Sequence, residues 1–485
     1  MPGADQAETP GIRPDGYHGD ERRTSTVTGL PTMRRRRKER DTLTNREITR
    51  NVGGRRLNRR DFLKLGGAGL AGAALLGTAG CGGGDSGSGD LVFAMGTDAS
   101  GTLQSLIDKF NKQSKDFKVQ YREMPTATDQ YFDKLRTQFQ AGSSDIDVMG
   151  SDVIWPAQFA ANGWLLDVSD KFPESEQKNF LQGPVQSLMY ENKIYGVPWF
   201  TDAGLLYYRQ DLLEKSGFSE PPKTWTELQE MANKVKQDEG LKSGLVFQGS
   251  QYEGGVVNGL EYIWTHGGDI LDPDDPSKVV VDSPEAAAGL ATEHGMITSG
   301  ATTKAVANYT ETETDPAFLN GDAAFARNWP YMYALAGTED YPDVTPEQIG
   351  IAPLPLAEGE NQLVSALGGW NMLINAASEK QEEAWEFVKF MTSEESQRIR
   401  TLEATLLPTR TSLYSDAEIK EKVPVVALGE EALKNARSRP VSPYYSDMSL
   451  EMAEQFNASL KGEVSPEEAV KSLQESLTEI AQAGS

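Results

Sequence analysis

The sequence contains one cysteine, Cys81, and three histidines in 485 residues. A single thiol excludes disulfide bonds within the chain, so a large hydrophobic core must supply the stability. The sequence has no cysteine and histidine cluster with metal-ligand spacing. It has no Gly-x-Ser-x-Gly elbow, and residues 81–485 hold only His266 and His294, which argues against a serine hydrolase. It also lacks a repeat of 20–50 residues, which argues against a repeat-built adhesion or structural protein.

Basic residues are scarce beyond residue 80. Residues 1–80 hold 16 of the 47 Lys and Arg residues and 9 of the 72 Asp and Glu residues. Residues 81–485 therefore carry 31 basic and 63 acidic side chains, a formal net charge of −32 over 405 residues. Such a surface repels nucleic acid and anionic lipid, so we expect no nucleic-acid partner, although acidity also serves solubility alone. The length predicts two domains or lobes.

The region before Cys81 is typical of an export signal. The arginines at 59–60 are followed by Asp-Phe-Leu-Lys, then by an apolar run over 66–79 that is too short and glycine-rich to span a bilayer. The paired arginines favour the twin-arginine export route. We expect Cys81 to be the lipidated residue of a bacterial lipoprotein, although Thr78 stands where an aliphatic residue is usual. A buried thiol is the alternative interpretation.

The segments on both sides of this signal have no hydrophobic period. Residues 1–57 are polar and rich in Arg, Thr, Gly and Pro, which predicts a disordered leader. Met33 directly precedes the basic run 34–38 and is an alternative start to Met1. That run fits the basic start of an export signal better than a nucleic-acid-binding segment. Residues 82–89 are Gly, Ser and Asp only, which predicts a flexible linker after the lipidated cysteine.

Strand and helix patterns alternate from residue 91 onward. The apolar residues Leu103, Leu106, Ile107 and Phe110 recur at helical spacing, and Thr224 with Glu227 forms a capping box at a later helix start. The same criteria predict strands at 91–95, 119–122, 146–149, 205–208, 323–326, 350–352 and 372–374, and helices at 130–141 and 224–237. Strand, loop and helix at this interval predict an α/β fold whose parallel strands carry ligand loops at their ends.

Several segments resemble one family across residues 90–485. They are 195–209 (Tyr-Gly-Val-Pro-Trp-Phe-Thr-Asp-Ala-Gly-Leu-Leu-Tyr-Tyr-Arg), 318–331 with its Gly-Asp-Ala-Ala-Phe motif, 368–374 with its Gly-Gly-Trp motif, 384–388, 439–445 and 465–469. In these segments the chain resembles the extracellular solute-binding proteins of ABC importers. Within them, it resembles the carbohydrate-binding family that includes maltose- and trehalose/maltose-binding proteins. The segments 261–264, 267–269 and 327–331 are most similar to the trehalose/maltose branch.

The resemblance implies a two-lobed, periplasmic-binding-protein-like α/β fold with three inter-lobe crossings and a ligand cleft between the lobes. We expect the crossings near 200–203, 322–326 and 367–371. The predicted parts are 90–201 (first lobe), 202–323 (second lobe), 324–368 (first lobe again) and 369–485 (second lobe with C-terminal helices). The lobes are expected to close around a sugar by a hinge motion.

Sugar hydroxyls need paired hydrogen bonds from carboxylates and amides, and sugar rings need aromatic platforms. Hydrogen bonds to charged partners contribute roughly 1.5–3 kcal/mol each. The candidate ligand-binding residues follow strand ends and the crossings that the resemblance implies: Asp98, Asp152, Asp202, Trp329, Tyr331, Gly369, Trp370, Arg439 and Tyr444.

Each candidate has a structural alternative. Aspartates in turns more often cap helices than bind ligands, which applies to Asp98 and Asp152. Trp329 could be plain core, since large aromatics are highly buried on average. Arg439 could pair with one of the many carboxylates instead of a sugar. Glu253 and Trp264 are weaker ligand candidates.

We therefore predict a substrate-binding lipoprotein of an ABC transporter. It would capture a di- or oligosaccharide, foremost a trehalose- or maltose-like α-glucoside, and deliver it to the permease subunits. We expect a monomer without cofactor or metal, exported and held to the outer face of the cell membrane through Cys81. The alternative from another class is a secreted glycoside hydrolase with an Asp/Glu pair, but no particular pair stands out.

Overall fold

The computed structural model describes residues 89–98, 101–273, 275 and 277–483. The predicted leader, export signal and lipidated Cys81 lie outside the described residues. The strands are β1 (Leu91–Gly96), β2 (Val119–Met124), β3 (Val148–Asp152), β4 (Met189–Tyr190), β5 (Lys193–Ile194), β6 (Gly196–Ala203), β7 (Leu205–Arg209), β8 (Ser243–Val246), β9 (Ala323–Asn328), β10 (Ile349–Ala352), β11 (Ser365–Ile374), β12 (Leu407–Pro408) and β13 (Ala436–Arg437).

Helices connect and cover these strands. They are α1 (Thr102–Gln113), α2 (Thr128–Gln140), α3 (Pro156–Ala161), α4 (Glu174–Gln177), α5 (Gln182–Gln186), α6 (Gln210–Lys215), α7 (Trp225–Glu239), α8 (Glu253–Thr265), α9 (Pro284–Thr298), α10 (Glu311–Leu319), α11 (Met332–Leu335), α12 (Gln381–Met391), α13 (Glu394–Ala404), α14 (Ala417–Lys422), α15 (Pro424–Lys434), α16 (Tyr445–Lys461) and α17 (Pro466–Ala483). Short 3₁₀ turns occur at Lys304–Asn308, Pro346–Gln348 and Thr411–Ser415.

The elements predicted from periodicity form. The four predicted apolar residues of α1 are buried, and the capping box of α7 has both of its hydrogen bonds. The third strand begins at Val148 rather than at the predicted Ile146. The reason is Asp147, whose Oδ2 accepts the Val92 N–H at 2.8 Å, so a side chain takes the place of a strand carbonyl.

The larger sheet forms the first lobe. Its strand order is β12-β6-β11-β3-β1-β2, with β13 beside β11. Strands β1, β2 and β3 are parallel, and β11 runs antiparallel to both β3 and β6. The carboxyl ends of β1, β3 and β6 therefore meet at one edge of the sheet, where ligand loops gather in α/β folds.

The smaller sheet forms the second lobe. Its order is β10-β7-β9-β8, with β7 antiparallel to β9 and to β10, and β8 parallel to β9. Helices α8, α9, α16 and α17 bury one shared apolar cluster, which includes Ile263, Leu290, Phe456 and Leu473. Leu460 of α16 also packs in the cluster that contains Leu245 and Phe325 of the smaller sheet, which places these helices beside that sheet.

The first crossing lies at Gly204, between β6 of the larger sheet and β7 of the smaller one, next to its predicted position. Glutamate and arginine side chains from the second lobe, Glu261 and Arg327, occupy the space that a side chain on Gly204 would need. Glycine at this position lets a buried ion pair lie against the crossing strand.

The predicted boundaries at 324 and 369 are wrong. Strand β9 does not begin a return to the first lobe, because it pairs with β7 and β8, and its Ala323–Ala326 are fully buried in the smaller sheet. The chain returns between β10 and β11. Strand β11 then belongs to the first lobe rather than the second, since it pairs with β3 and β6. The last crossing follows β13, because β13 still pairs with β11 of the larger sheet and the two C-terminal helices come directly after it.

Candidate ligand-binding site

Three predicted aspartates lie at one edge of the larger sheet. Asp98 follows β1, Asp152 ends β3, and Asp202 is the penultimate residue of β6. Since these strands point the same way, their carboxyl ends bring the three carboxylates to the side of the first lobe that carries the crossing. The predicted positions of these residues at strand ends are therefore found in the structure.

Asp98 has the structural role that the sequence left open. Its Oδ2 accepts the backbone N–H of Leu103 at 2.8 Å, in the first turn of α1. Its Oδ1 faces the buried Arg400, whose Nη2 lies 3.4 Å away. One carboxylate therefore both fixes the start of a helix and places negative charge at the sheet edge.

Asp152 belongs to an ion cluster that joins the lobes. Arg439 Nη2 donates to Asp152 Oδ1 at 2.8 Å, and Arg439 Nη1 donates to Glu253 Oε1 at 2.6 Å. Glu253 also accepts hydrogen bonds from the hydroxyls of Tyr445, at 2.7 Å, and Ser449. Burial opposes the charge, yet the two carboxylates together raise the pKa of Arg439 above its usual value. Arg439 thus forms the ion pair that was weighed against a direct ligand role.

Asp202 differs from Asp152 in having no such partner. Its side chain is buried, and its Oδ1 has no hydrogen-bond partner among the described residues. Burial raises the pKa of Asp202 to about 8, and the Asp152 charge adds to this, against the lowering effects of Arg400 and Arg327. A polar ligand could therefore supply the hydrogen bond that the Asp202 carboxyl group lacks.

Trp329 comes from the second lobe and lies next to Asp202. Gly368 pairs with Asp202 across the sheet, and a Cβ on Gly368 would lie 2.9 Å from Trp329 Cζ3 and 3.1 Å from Asp202 Cβ. The half-buried indole is supported from behind, because the Arg327 guanidinium stacks 4.0 Å from the ring centroid. Arg327 is in turn fixed by Glu261, with Nε and Nη2 donating at 2.7 and 2.6 Å.

Gly369 and Trp370 lie in β11 opposite Asp152. Gly369 has φ +116°, and a Cβ there would lie 2.5 Å from the Phe200 carbonyl oxygen, so only glycine fits. The register of β11 against β6 shifts between Trp370 and Asn371. Trp370 is half-buried, stacks on Tyr131 at 6.0 Å and meets Trp155 edge-on at 5.6 Å. The aromatic platform predicted for Trp370 is therefore part of a larger aromatic group.

The remaining two aromatics have different surroundings. Tyr331 is half-buried against the cores of both lobes, and its hydroxyl donates to Asp315 Oδ2 at 2.9 Å. Its polar end is therefore engaged by the second lobe, which leaves the ring for contact. Tyr444 is half-buried directly before α16, and its backbone N–H donates to Ser442 Oγ at 3.1 Å.

A cavity of about 190 Å³ lies between the lobes beside the Arg439 cluster. Each lobe contributes two aromatic side chains to its wall, Phe132 and Trp155 from the first lobe and Tyr252 and Tyr445 from the second. Most of the other lining residues of both lobes are polar or charged, and Glu253 is one of them. None of the nine predicted residues lines it. Glu253 connects it to Arg439, and Trp155 connects it to Trp370.

Sequence reasoning did not select Arg400 and placed Glu253 only among the weaker candidates. Arg400 is in α13, whose buried positions include the polar residues Ser396, Gln397 and Thr401. Because its buried face is partly polar, this helix has little of the apolar spacing that identifies a helix in a sequence. No sequence motif singles out its arginine either. Glu253 starts α8, where an acidic residue is ordinarily a favourable helix-end charge, so its sequence position gave no separate signal.

The described ranges contain neither a metal-binding cluster nor a membrane-spanning helix. No group of three or more His, Cys, Asp or Glu residues is arranged to hold a metal ion there. Among the helices of the same ranges, none combines the length and apolarity that a membrane crossing needs.

Comparisons with known proteins agree with this architecture. Residues 96–398 match the family described as bacterial extracellular solute-binding protein. A probable ABC transporter-binding protein of Deinococcus radiodurans is 35% identical over 370 residues, covering 75% of this chain and 86% of that protein. The maltotriose-binding protein of Pyrococcus abyssi is 24% identical over 345 residues, covering 70% of each.

A solved structure extends the comparison to three dimensions. Maltose-bound T. maritima MalE3 has a TM-score of 0.76 and 37% identity to this chain, covering 80% of this chain and 99% of that one. Its two-lobed sugar-binding architecture is the one described above. The family match spans more than half of the sequence, and the relatives span most of it. This chain belongs to the bacterial extracellular solute-binding proteins.

Proposed function

We propose that this protein is the substrate-binding lipoprotein of an ABC importer and that it captures a trehalose- or maltose-like α-glucoside. Membership in the solute-binding family makes it a binding protein of an ABC sugar transporter rather than a member of an enzyme class. The maltose in MalE3 and the maltotriose of the P. abyssi protein support an α-glucoside of two or more units.

One observation supports the sugar most directly. Asp202, whose buried Oδ1 has no partner among the described residues, and the half-buried indole of Trp329 both adjoin Gly368, which brings an acceptor for a hydroxyl close to a flat apolar surface. A sugar ring presents hydroxyls at its edge and C–H groups on its face, so this pair suits it. The other candidate residues, Asp98, Asp152, Tyr331, Gly369, Trp370, Arg439 and Tyr444, are proposed to form the rest of the cleft.

The mechanism is binding without covalent chemistry. Asp202 is at the end of β6 in the first lobe, whereas Trp329 follows β9 in the second. A sugar that contacts both side chains is bound more tightly by the closed arrangement than by an open one. Its binding free energy therefore shifts the population towards closure, by no more than the difference in affinity between the two states. The closed form is what the permease subunits would recognise.

The location follows from the sequence. We propose export through the twin-arginine signal, lipidation of Cys81, and the 82–89 segment as the spacer between membrane and lobes. Growth in radiolabelled palmitate tests the anchor. The label should enter the full-length protein and disappear in Cys81→Ala, which should also release the protein into the medium.

Calorimetry tests the ligand. Titration with trehalose, maltose, maltotriose and sucrose should show binding of at least one α-glucoside, with the sugar recovered unchanged. Release of glucose during incubation would contradict the binding-protein proposal and favour the glycoside hydrolase alternative. Absence of binding to the whole panel would refute the proposed substrate class.

A further inference from the structure

Arg400 is a buried arginine that the predicted site did not include. It is in α13, it is 3% exposed, and its guanidinium stacks 4.1 Å from the Trp199 ring centroid and 4.9 Å from that of Phe200. Its Nη2 has one long contact with Asp98, at 3.4 Å. Its Nε and Nη1 have no hydrogen-bond partner among the described residues.

Unpartnered buried N–H groups are rare in native proteins because each forfeits its bonds to water. Among the described residues, Arg400 leaves two such nitrogens without a partner, and Asp202, two residues beyond the Phe200 on which Arg400 stacks, leaves one oxygen. Burial lowers the pKa of Arg400 to about 10, while Asp98 and Asp202 oppose this, so the side chain stays cationic at neutral pH. The Arg400 guanidinium, which can only donate, and the Asp202 carboxyl oxygen, which can accept, therefore both lack hydrogen bonds near the end of β6.

A hydroxyl group matches both, because it donates one hydrogen bond and accepts two. Neighbouring hydroxyls on a sugar ring can accept from a guanidinium while one of them donates to a carboxylate. A structural role for Arg400 would explain the stacking on Trp199 and Phe200, but it would not explain why two nitrogens and the Asp202 oxygen are left without partners.

We propose that Arg400 is a ligand-contacting, specificity-determining residue, which binds with Asp202 one vicinal diol of the sugar. Arg400 Nε and Nη1 donate to the two hydroxyl oxygens, and one hydroxyl donates to Asp202 Oδ1. This inference rests on the proposed sugar-binding function, and it identifies a vicinal diol as the part of the sugar that is recognised at this end of the cleft.

The test is titration of maltose and its monodeoxy analogues into wild type, Arg400→Gln and Arg400→Lys. In wild type, two adjacent deoxy positions should each cost ~10-fold or more in affinity. Arg400→Gln should weaken maltose ~10- to 100-fold and abolish the penalty at those positions. Arg400→Lys, which keeps the charge but not two neighbouring donors, should keep only one of the penalties.

Arg410 provides the matched control. It is also an arginine of the first lobe stacked on an aromatic ring, Phe180 at 4.5 Å, but its Nε donates to the Thr392 carbonyl at 2.8 Å. Arg410→Gln should leave maltose affinity and the deoxy penalties unchanged. Thermal unfolding of each variant separates lost folding from lost contacts.

The outcomes are distinct. A maltose complex in which no sugar oxygen is within 3.5 Å of Arg400 Nε or Nη1 would overturn the inference, even if the variants fold poorly. Equal weakening of every analogue in Arg400→Gln, with the wild-type penalties kept, would also overturn it and assign a structural role. If wild type binds neither maltose nor trehalose, the proposed function fails first and this inference falls with it.

Discussion

Two buried arginines, Arg439 and Arg400, each lie beside a carboxylate at the same sheet edge, but their surroundings differ. Arg439 has a carboxylate on each terminal nitrogen, Asp152 and Glu253, and only its Nε is without a hydrogen-bond partner among the described residues. Arg400 has one long hydrogen bond, 3.4 Å to Asp98, and its Nε and Nη1 have no hydrogen-bond partner among the described residues. The first arginine is neutralised by the protein itself, whereas the second lacks partners that a polar ligand could supply.

The difference assigns the two regions separate tasks. The Arg439 cluster connects Asp152 of the first lobe to Glu253 of the second through side chains of the protein itself, so it holds the lobes in register. Removing one partner of such a pair leaves a buried charge, which is costly. No hydrogen bond or ion pair joins Arg400 to Asp202 within the described residues, so loss of either side chain should weaken binding more than folding.

The largest expected effect is on stability, in Arg439→Ala. The change strands Asp152 and Glu253 as buried carboxylates, so we expect the free energy of unfolding to fall by about 3–5 kcal/mol. Urea unfolding followed by tryptophan fluorescence measures it. Arg437→Ala is the control, because Arg437 pairs with Asp269 at a more exposed position, where loss of the pair should cost at most about 1 kcal/mol. Equal losses in both variants would remove the contrast between the two arginines.

A third unpartnered group, Glu293 in α9, shows that burial without a partner does not by itself indicate a ligand site. Burial alone raises the pKa of Glu293 to about 8, its Oε2 has no partner, and neither a cation nor a cleft aromatic adjoins it among the interactions of the described residues. The unfolded carboxyl titrates near 4.3, so between about pH 4 and pH 8 the folded state binds more protons. The contribution of Glu293 to the free energy of unfolding therefore falls as the pH rises from about 4 to about 8.

Glu293→Gln should flatten this pH dependence. The decline in unfolding free energy from pH 5 to pH 8 should shrink by on the order of 2–4 kcal/mol, since the amide does not titrate. Part of the decline should persist, because Asp202 and Asp315 also have raised pKa values, about 8 and about 7. Glu285→Gln, at an exposed position of the same helix, should leave the slope unchanged. Maltose affinity should be the same in all three proteins.

These groups also mark how far the sequence could predict the structure. The strand ends at Asp98, Asp152 and Asp202 were predictable, because apolar runs end there and parallel strands share an edge. The return of the chain to the first lobe was not, because Ala323–Ala326 reads equally as a crossing and as a buried central strand. Arg400 was not predictable either, since its role depends on a contact with Asp98, 302 residues away along the chain.

Asp202→Ala should weaken ligand binding and leave folding intact, whereas Arg439→Ala should mainly weaken folding. Maltose affinity should fall ~10- to 100-fold, because the buried acceptor for a hydroxyl is gone. Unfolding free energy at pH 8 should stay the same or rise, since a carboxyl with a pKa of about 8 is costly to ionise in its buried position. Calorimetry and urea unfolding measure the two quantities. Unchanged affinity would refute the assigned site, and a loss of stability as large as that of Arg439→Ala would erase the distinction.

The smallest expected effect tests the contact between the lobes at Asp202. Gly368→Ala places a methyl 2.9 Å from Trp329 Cζ3 and 3.1 Å from Asp202 Cβ, so the indole must move away from the carboxyl group. Maltose should bind ~5-fold more weakly, a loss of about 1 kcal/mol, while the fold is kept. Gly183→Ala is the control, since its nearest contact would be an ordinary 3.5 Å to Leu367. If both variants bind maltose as wild type does, the position of Trp329 against Asp202 is not what the ligand requires, and the binding surface must lie on the Arg439 side of the cleft.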